Sequence, residues 1–125
     1  MSESTGLEDL FHAAETDHWV QAQREGTYTR STLGLSLAQV GFVHCSFAGQ
    51  VQPVLDALFG GADDVTLLRI DPSRLEAPVR VEDLDGLGEA YPHVYGPIPT
   101  TAVVETRVMR REGGRWLADL AGPSS

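Results

Sequence analysis

Several side chains that could take part in chemistry lie inside short apolar stretches of this chain. The segment 41–46 places an imidazole, a thiol and a hydroxyl in consecutive positions, with the sequence Gly-Phe-Val-His-Cys-Ser. Two further histidines, His12 and His93, also lie between apolar neighbours. A polar group in such a setting costs free energy unless it is hydrogen-bonded, so packing alone does not explain these residues. They are therefore the first candidates for a functional site.

The segment 41–46 has the pattern of a short buried strand. Aromatic and β-branched residues favour strands, and alternate side chains of a strand point to opposite faces. Phe42, His44 and Ser46 should therefore share one face, while Val43 and Cys45 face the core. This alternation predicts that the histidine and the serine line a pocket. The other interpretation is a core histidine bonded to a backbone carbonyl.

Three familiar kinds of catalytic site match the residue types but not their spacing. Three imidazoles could hold a catalytic zinc ion, but no two histidines have the short spacing of a helix face, and no HExxH motif occurs. His44 and Cys45 point to opposite faces of a strand, which weakens a cysteine–histidine pair. Ser46 has no GxSxG turn to expose its hydroxyl. A catalytic zinc site and the two nucleophiles are therefore the less favoured interpretations.

Composition narrows the classes of partner. The chain has 125 residues, enough for one domain with one core. Its net charge of −9 opposes attraction to phosphate backbones and to anionic lipids, so nucleic acid is a poor candidate partner. The chain contains arginine but no lysine, which excludes Schiff-base chemistry on a lysine.

The sequence predicts a location inside the cell. The apolar runs fall far short of the ~20 residues that a transmembrane helix needs. The N-terminus carries acidic and small polar residues, unlike a secretory signal. The lone Cys45 cannot form an internal disulfide. We therefore expect a cytoplasmic protein without a membrane span.

Hydrophobic periodicity predicts about seven short strands and two or three short helices. Because these elements do not alternate regularly, the fold class should be α+β and not a doubly wound sheet. A single domain is expected over residues 8–120, with disordered ends at 1–7 and 121–125. The expected elements are a strand within 7–14, a helix over 17–25 ended by Gly26, a strand from Gly41, a helix over 49–59, strands over 65–70, 79–82 and 103–110, and a hairpin at Gly113-Gly114 that returns over 115–120.

Two later segments add polar and aromatic side chains. One predicted strand places Arg80 and Glu82 on one face, where the carboxylate could also be a solvated partner of the arginine. Residues 91–99 contain three prolines and two tyrosines, a composition that argues against a regular central strand. A stiff connection that carries His93 and Tyr95 suits a binding site.

The order of these features resembles a known layout. A strand ending in His12, a helix, Tyr28, a second strand with His44 and a later strand with Glu82 resemble the arrangement of ADP-ribosyltransferases. More specifically, the chain is similar over roughly residues 8–105 to a small bacterial domain of unknown function, number 952. The motifs that carry this similarity are Phe11-His12, Trp19, Gly26-x-Tyr28, Gly41-Phe42-Val43-His44-Cys45-Ser46 with Gln50, Leu67-Leu68-x-Ile70, Glu82 and Pro92-His93-Val94-Tyr95-Gly96-Pro97.

The resemblance implies an ADP-ribosyltransferase-like split β-sheet core that clasps a dinucleotide. In that arrangement His12 would hydrogen-bond the nicotinamide-side ribose, and Tyr28 would stack on a ring. Glu82 would be the catalytic carboxylate, assisted by His44, which lines the cleft with Ser46. The remaining predicted ligand-binding residues are Gln50, His93 and Tyr95.

We therefore expect a transferase-like enzyme that takes NAD, or a related ADP-ribose nucleotide, as its substrate and cleaves the nicotinamide–ribose bond. Such cleavage passes through an oxocarbenium-like state that a carboxylate stabilises. RNA 2′-phosphotransfer, a related activity, is less favoured because the sequence has no basic cluster for an RNA phosphate. The alternative is a non-catalytic module that binds a small ligand or a partner on the same fold.

Overall fold

Eight strands and three helices form in the part of the chain that the computed structural model describes, which is residues 8–30, 37–59, 64–83, 86, 88–111 and 116. The strands are β1 (Leu10–Ala14), β2 (Thr27–Tyr28), β3 (Val43–His44), β4 (Asp64–Ile70), β5 (Val79–Glu82), β6 (Tyr91–Val94), β7 (Ile98–Pro99) and β8 (Val103–Arg110). The helices are α1 (Thr16–Glu25), α2 (Leu37–Val40) and α3 (Val51–Leu58). The predicted disordered ends, 1–7 and 121–125, lie outside the described residues, as does the predicted hairpin with its return strand, apart from Trp116.

The described strands pair into three antiparallel sheets. β4 is the middle strand of the sheet β1-β4-β8, β6 is the middle strand of the sheet β3-β6-β5, and β2 pairs with β7. An isolated bridge joins the two larger sheets, because the N–H groups of Phe11 and Ser46 each donate to the other's carbonyl oxygen at 2.7 Å. This bridge places the segment 41–46 directly beside the strand that carries His12.

The sheet β1-β4-β8 buries apolar side chains on both faces, because successive residues of a strand point to opposite sides. In β1, Leu10 belongs to one core cluster and Phe11 to the other, and Leu68 and Leu67 divide in the same way in β4. The first cluster extends to α1 and to the sheet β3-β6-β5, and the second extends to α3. The result is a small single-domain α+β fold, which confirms the coarse prediction.

Local sequence signals set the helix ends. α1 ends at Gly26, whose φ of 88° lies in the left-handed region that favours glycine, and its N–H donates to Ala22 O at 2.7 Å. α3 follows a turn of 3₁₀ helix over Ala48–Gln50, so Pro53 lies in the first turn of α3, where its missing N–H is tolerated. None of the helices in the described residues is long and apolar enough to cross a membrane.

One prediction about a strand is wrong. The prolines of residues 91–99 were expected to exclude a central strand, yet Tyr91–Val94 forms β6 at the centre of its sheet. Pro92 lacks a donor, but its carbonyl still accepts from Cys45 N–H at 3.0 Å. Its side chain is buried, as is that of Val94 two residues on. A single missing N–H therefore does not prevent pairing on both sides.

The end of β6 is fixed by a close backbone approach, and this gives a testable prediction. Tyr95 N–H donates to Pro78 O at 2.9 Å, and a Cβ on Gly96 would lie only 2.6 Å from Ala77 Cβ. Gly96→Ala should therefore lower the free energy of unfolding by about 1–3 kcal/mol, because one of the two segments must move. Urea denaturation measures the change.

The matched variant removes the clash from the other side. Gly96→Ala combined with Ala77→Gly should recover a large part of the lost stability, since the space that the new methyl needs is then open. Strictly additive losses in the double variant would contradict the contact.

Candidate functional site

The candidate site lies on one face of the sheet β3-β6-β5. Along β6 and just beyond it, Tyr91, His93 and Tyr95 occupy alternate positions and so share a face, while Val94 faces the core. In the register of the sheet, His93 is paired with His44 of β3 on one side and with Arg80 of β5 on the other. Four of the predicted site residues thus meet here, namely His44, Glu82, His93 and Tyr95.

The Glu82 carboxylate is the hydrogen-bonding centre of this face. Its Oε1 accepts from Tyr95 O–H at 2.6 Å and from His93 Nδ1–H at 3.0 Å. These two hydrogen bonds hold the pKa of Glu82 below its usual range, and the bond from Tyr95 has the larger effect. The hydrogen bond between Tyr95 and Glu82 also raises the pKa of Tyr95. Its Oε2 has no hydrogen-bond partner among the described residues, and the side chain is one-quarter exposed, at 25%. The site therefore presents one free oxygen of an oriented, ionised carboxylate.

The imidazole of His93 is held in one orientation. The side chain is only 4% exposed, and the Phe42 ring stacks on it with centroids 4.3 Å apart. Because the Glu82 oxygen can only accept, Nδ1 carries the proton. Nε2 makes no hydrogen bond to any residue in the described part of the chain, and no buried side-chain nitrogen or oxygen there lacks a partner. The Nε2 edge of the ring therefore reaches the surface.

Aromatic rings and one cation surround the carboxylate. The His44 ring lies 5.0 Å from the Tyr91 ring and 5.3 Å from the His93 ring, measured between centroids. The guanidinium of Arg80 lies 5.4 Å from the centroid of Tyr95. Arg80 thus lies over the tyrosine and forms no ion pair with Glu82 within 4 Å, so the simple surface pair considered from the sequence does not form.

His12 and Tyr28 lie in the core behind this face. His12 Nδ1–H donates to the carbonyl oxygen of His44 at 2.7 Å, so its Nε2 accepts from Tyr28 O–H at 2.9 Å. Burial lowers the pKa of His12 to about 4, which keeps the ring neutral, and burial also raises the pKa of Tyr28. Both residues are almost completely buried. The sequence left open whether His44 is a core histidine bonded to a backbone carbonyl. In the structure, His12 is the histidine that has this role.

Ser46 and Gln50 hold the segments around the site. Ser46 is buried and bonds through its backbone to Phe11. Gln50 Oε1 accepts from Phe47 N–H at 3.0 Å, and its Nε2 donates to Glu89 Oε2 at 2.6 Å and to the carbonyl of Ala90 at 2.8 Å. The amide thereby ties the start of α3 to the residues that enter β6. In this structure its role is to position the edge of the site.

Cys45 and the acidic start of α1 lie apart from the candidate site. The Cys45 thiol is buried, as predicted, and burial raises its pKa. Among the described residues, Glu15, Asp17 and His18 are the one group that brings three potential metal-ligand atoms within 4.8 Å of one another. None of the predicted site residues belongs to that group.

Sequence reasoning did not assign Tyr91, which lies beside His44, to this site. It placed Phe42 on the face of His44 and Arg80 on the face of Glu82, but it missed that Phe42 covers His93 and that Arg80 lies over Tyr95. A usable signal was present. Tyr91, His93 and Tyr95 follow one another at every second position, which is the strand period. Pro92 between the first two of them, and the prolines at 97 and 99, concealed it.

A separate cavity of about 180 Å³ lies against β1, β4 and β8. Arg69 lines this cavity. Its guanidinium forms ion pairs with Asp9 at 2.7 Å and with Glu105 at 3.3 Å, and it lies 5.8 Å from the centroid of the Phe11 ring. None of the predicted site residues lines this cavity. Arg69 of its lining is already paired with Asp9 and Glu105.

Solved structures of another protein share this fold. The chain is similar to the crystal structure of protein CC0527 from Caulobacter crescentus, with a TM-score of 0.76 and 22% identity over 88% of this chain and 94% of that chain. The solution NMR structure of the same protein gives a TM-score of 0.70 and 22% identity over 90% and 93% of the two chains. At this identity the likeness shows the fold alone.

Sequence comparison identifies the family. No curated protein matches the chain. The ADP-ribosyltransferase-like core stays a prediction, because the CC0527 structures bear only on the overall fold. A family model described as "Protein of unknown function (DUF952)" matches residues 13–106. Since that match covers most of its length, the chain belongs to the DUF952 family.

Proposed function

We propose that the face around Glu82 binds NAD or a related ADP-ribose nucleotide and promotes cleavage of the nicotinamide–ribose bond. The observation that carries this proposal is the Glu82 carboxylate, which is ionised, held at Oε1 by two donors and free at Oε2. A fixed carboxylate costs no reorganisation when positive charge develops next to it. That is the group that oxocarbenium chemistry needs.

The cleavage places its charge on the ribose. As the C1′–N bond breaks, the electron pair moves to the nicotinamide ring, and the sugar carbon becomes electron-poor. Glu82 Oε2 would stabilise that carbon, while Tyr95 and His93 keep the carboxylate in place through Oε1. His44, on the other side of His93 in the sheet, would border the reacting ribose.

The surroundings of the carboxylate also suit a nucleotide. Tyr91 and Tyr95 are partly exposed rings, and flat rings stack on nicotinamide or adenine. Arg80 is exposed and lies over Tyr95, where its guanidinium can bind a diphosphate in a two-pronged way. The net charge of −9 still favours a small nucleotide over RNA as the ligand.

A non-catalytic binding module on the same fold is the second candidate. It is favoured by the His12–Tyr28 pair, because the two side chains that the resemblance assigns to the ribose and to stacking bond to each other inside the core. The nucleotide would then have to bind through the outer face alone. Such a face could recognise a ligand without turning it over.

Binding and turnover are tested separately. NAD and ADP-ribose are titrated into ¹⁵N-labelled protein, and nicotinamide release is followed by chromatography. We expect shifts of the backbone amides of His44, Glu82, His93 and Tyr95, with a dissociation constant in the range of about 1 μM to 1 mM that is typical of enzyme substrates. Arg80→Gln should weaken binding, whereas Arg24→Gln, an exposed arginine of α1, should not.

The outcomes separate the two candidates. Nicotinamide release by the wild type supports the enzyme. Saturable binding at this face without release supports the non-catalytic module. Absence of any shift with either nucleotide contradicts both nucleotide proposals.

A further inference from the structure

The free edge of His93 is a group that the proposed bond cleavage does not itself use. Nδ1–H is committed to Glu82 at 3.0 Å, which leaves the lone pair of the neutral ring on Nε2. That nitrogen reaches the surface at the edge of the ring opposite the bond to Glu82, because it has no partner among the described residues and none of their buried polar atoms is unpaired. A carboxylate that orients an imidazole through Nδ1 is the arrangement of a general base.

We propose that His93 is the general base of this site and that the acceptor it activates is water, so that the reaction is hydrolysis. The inference rests on the proposed function. Water is favoured because His93 is only 4% exposed and Phe42 covers one face of its ring, with centroids 4.3 Å apart. So small an exposed area at His93 favours a small acceptor such as water over a protein side chain or a nucleic acid.

The step balances without a further reactant. The oxygen of water attacks C1′ of the ribose as the C1′–N bond breaks, and the electron pair of that bond leaves with neutral nicotinamide. Nε2 of His93 takes a proton from the water and later returns it to solvent. The negative charge of Glu82, bonded to the same ring, offsets the positive charge that the imidazole gains. The products are ADP-ribose, nicotinamide and one proton.

The first test does not depend on activity. Long-range ¹H–¹⁵N correlation spectra of ¹⁵N-histidine protein at pH 7.5 report which ring nitrogen carries the proton. We expect the neutral form of the His93 ring to carry its proton at Nδ1, and we expect Glu82→Ala to remove this fixed tautomer. A proton on Nε2 and none on Nδ1 in the wild type would overturn the assignment, whatever the protein binds.

The second test measures the base in the reaction. His93→Gln should lower the rate of nicotinamide release by about 10²–10⁴-fold. Its dissociation constant for NAD should stay within about threefold of the wild-type value, because a general base acts on the chemical step. Added imidazole should restore part of the rate in His93→Ala. His18→Gln, which removes a histidine of α1, is the matched control and should keep the wild-type rate.

The failure of this inference differs from the failure of the proposed function. If the wild type releases nicotinamide and His93→Gln does so at a rate within threefold, the general base is wrong while the proposed function stands. If the wild type transfers ADP-ribose to a protein acceptor and forms no free ADP-ribose, the assignment of water is wrong. If the wild type binds no nucleotide, or binds NAD without releasing nicotinamide, both the proposed bond cleavage and the assignment of His93 as its general base are wrong.

Discussion

Glu82→Gln should bind NAD about as tightly as the wild type and release nicotinamide about 10²–10³-fold more slowly. The substitution keeps the shape of the side chain, and the amide oxygen can still accept from Tyr95 and His93 in place of Oε1. It removes the negative charge that would face the electron-poor ribose carbon. The loss should therefore appear in kcat, with little change in the dissociation constant.

A control and a folding check accompany this variant. Glu25→Gln removes an exposed carboxylate from the end of α1, outside the site, and should keep the wild-type rate. The unfolding midpoint of Glu82→Gln in urea shows whether the fold has survived. A folded Glu82→Gln protein with an undiminished rate would remove this carboxylate from the mechanism.

The stability of the protein should fall by about 2 kcal/mol between pH 7 and pH 5 because of one buried histidine. Burial lowers the pKa of His12 in the folded state from 6.5 to about 4. Below pH 6.5 this histidine binds a proton in the unfolded chain. In the folded protein it stays unprotonated until the pH approaches 4. Protonation therefore favours unfolding across that interval, and stability rises again as the pH is raised.

Urea unfolding at pH 7, 6 and 5 measures this dependence. His12→Gln should be less stable at pH 7, because it disturbs bonds to Tyr28 and to the His44 carbonyl, but its stability should change less with pH. Glu82 and Asp71 have pKa values below their ordinary values of 4.5 and 3.8, so their protonation changes the stability of the protein only at lower pH. An unchanged slope in His12→Gln would show that this histidine is not held neutral.

Much of the chain follows from its pattern of residues. The run of mostly apolar residues over 65–70, the glycine that ends α1 and the helical spacing of apolar residues in α3 each predict the element that forms, to within one or two residues. The alternation in the segment 41–46 also places Val43 and Cys45 in the core, where both are completely buried. Secondary-structure propensity and side-chain direction depend on only a few neighbouring residues, so both can be predicted from the sequence.

The two histidines show where such reasoning ends. His12 and His44 both lie in apolar strands, and nothing local distinguishes the buried one from the one at the site. The structure separates them, because His12 points between the sheets and bonds to the backbone of His44, whereas the His44 ring packs against Tyr91 and His93. The proline-rich β6 was misjudged for a similar reason, since pairing on both sides outweighs the loss of one donor.

By itself the sequence determined the α+β class, the DUF952 family and the presence of Glu82, His93 and Tyr95 within a short stretch of chain. Only the tertiary structure decided that Tyr95 and His93 both donate to Oε1 of Glu82. This arrangement leaves Oε2 of Glu82 and Nε2 of His93 without a hydrogen bond to the described residues. The physical reason is that β5 and β6 must pair in one register to bring the carboxylate opposite its donors. That register is set by the whole core beneath the sheet, because shifting it by one residue would turn every buried side chain outward.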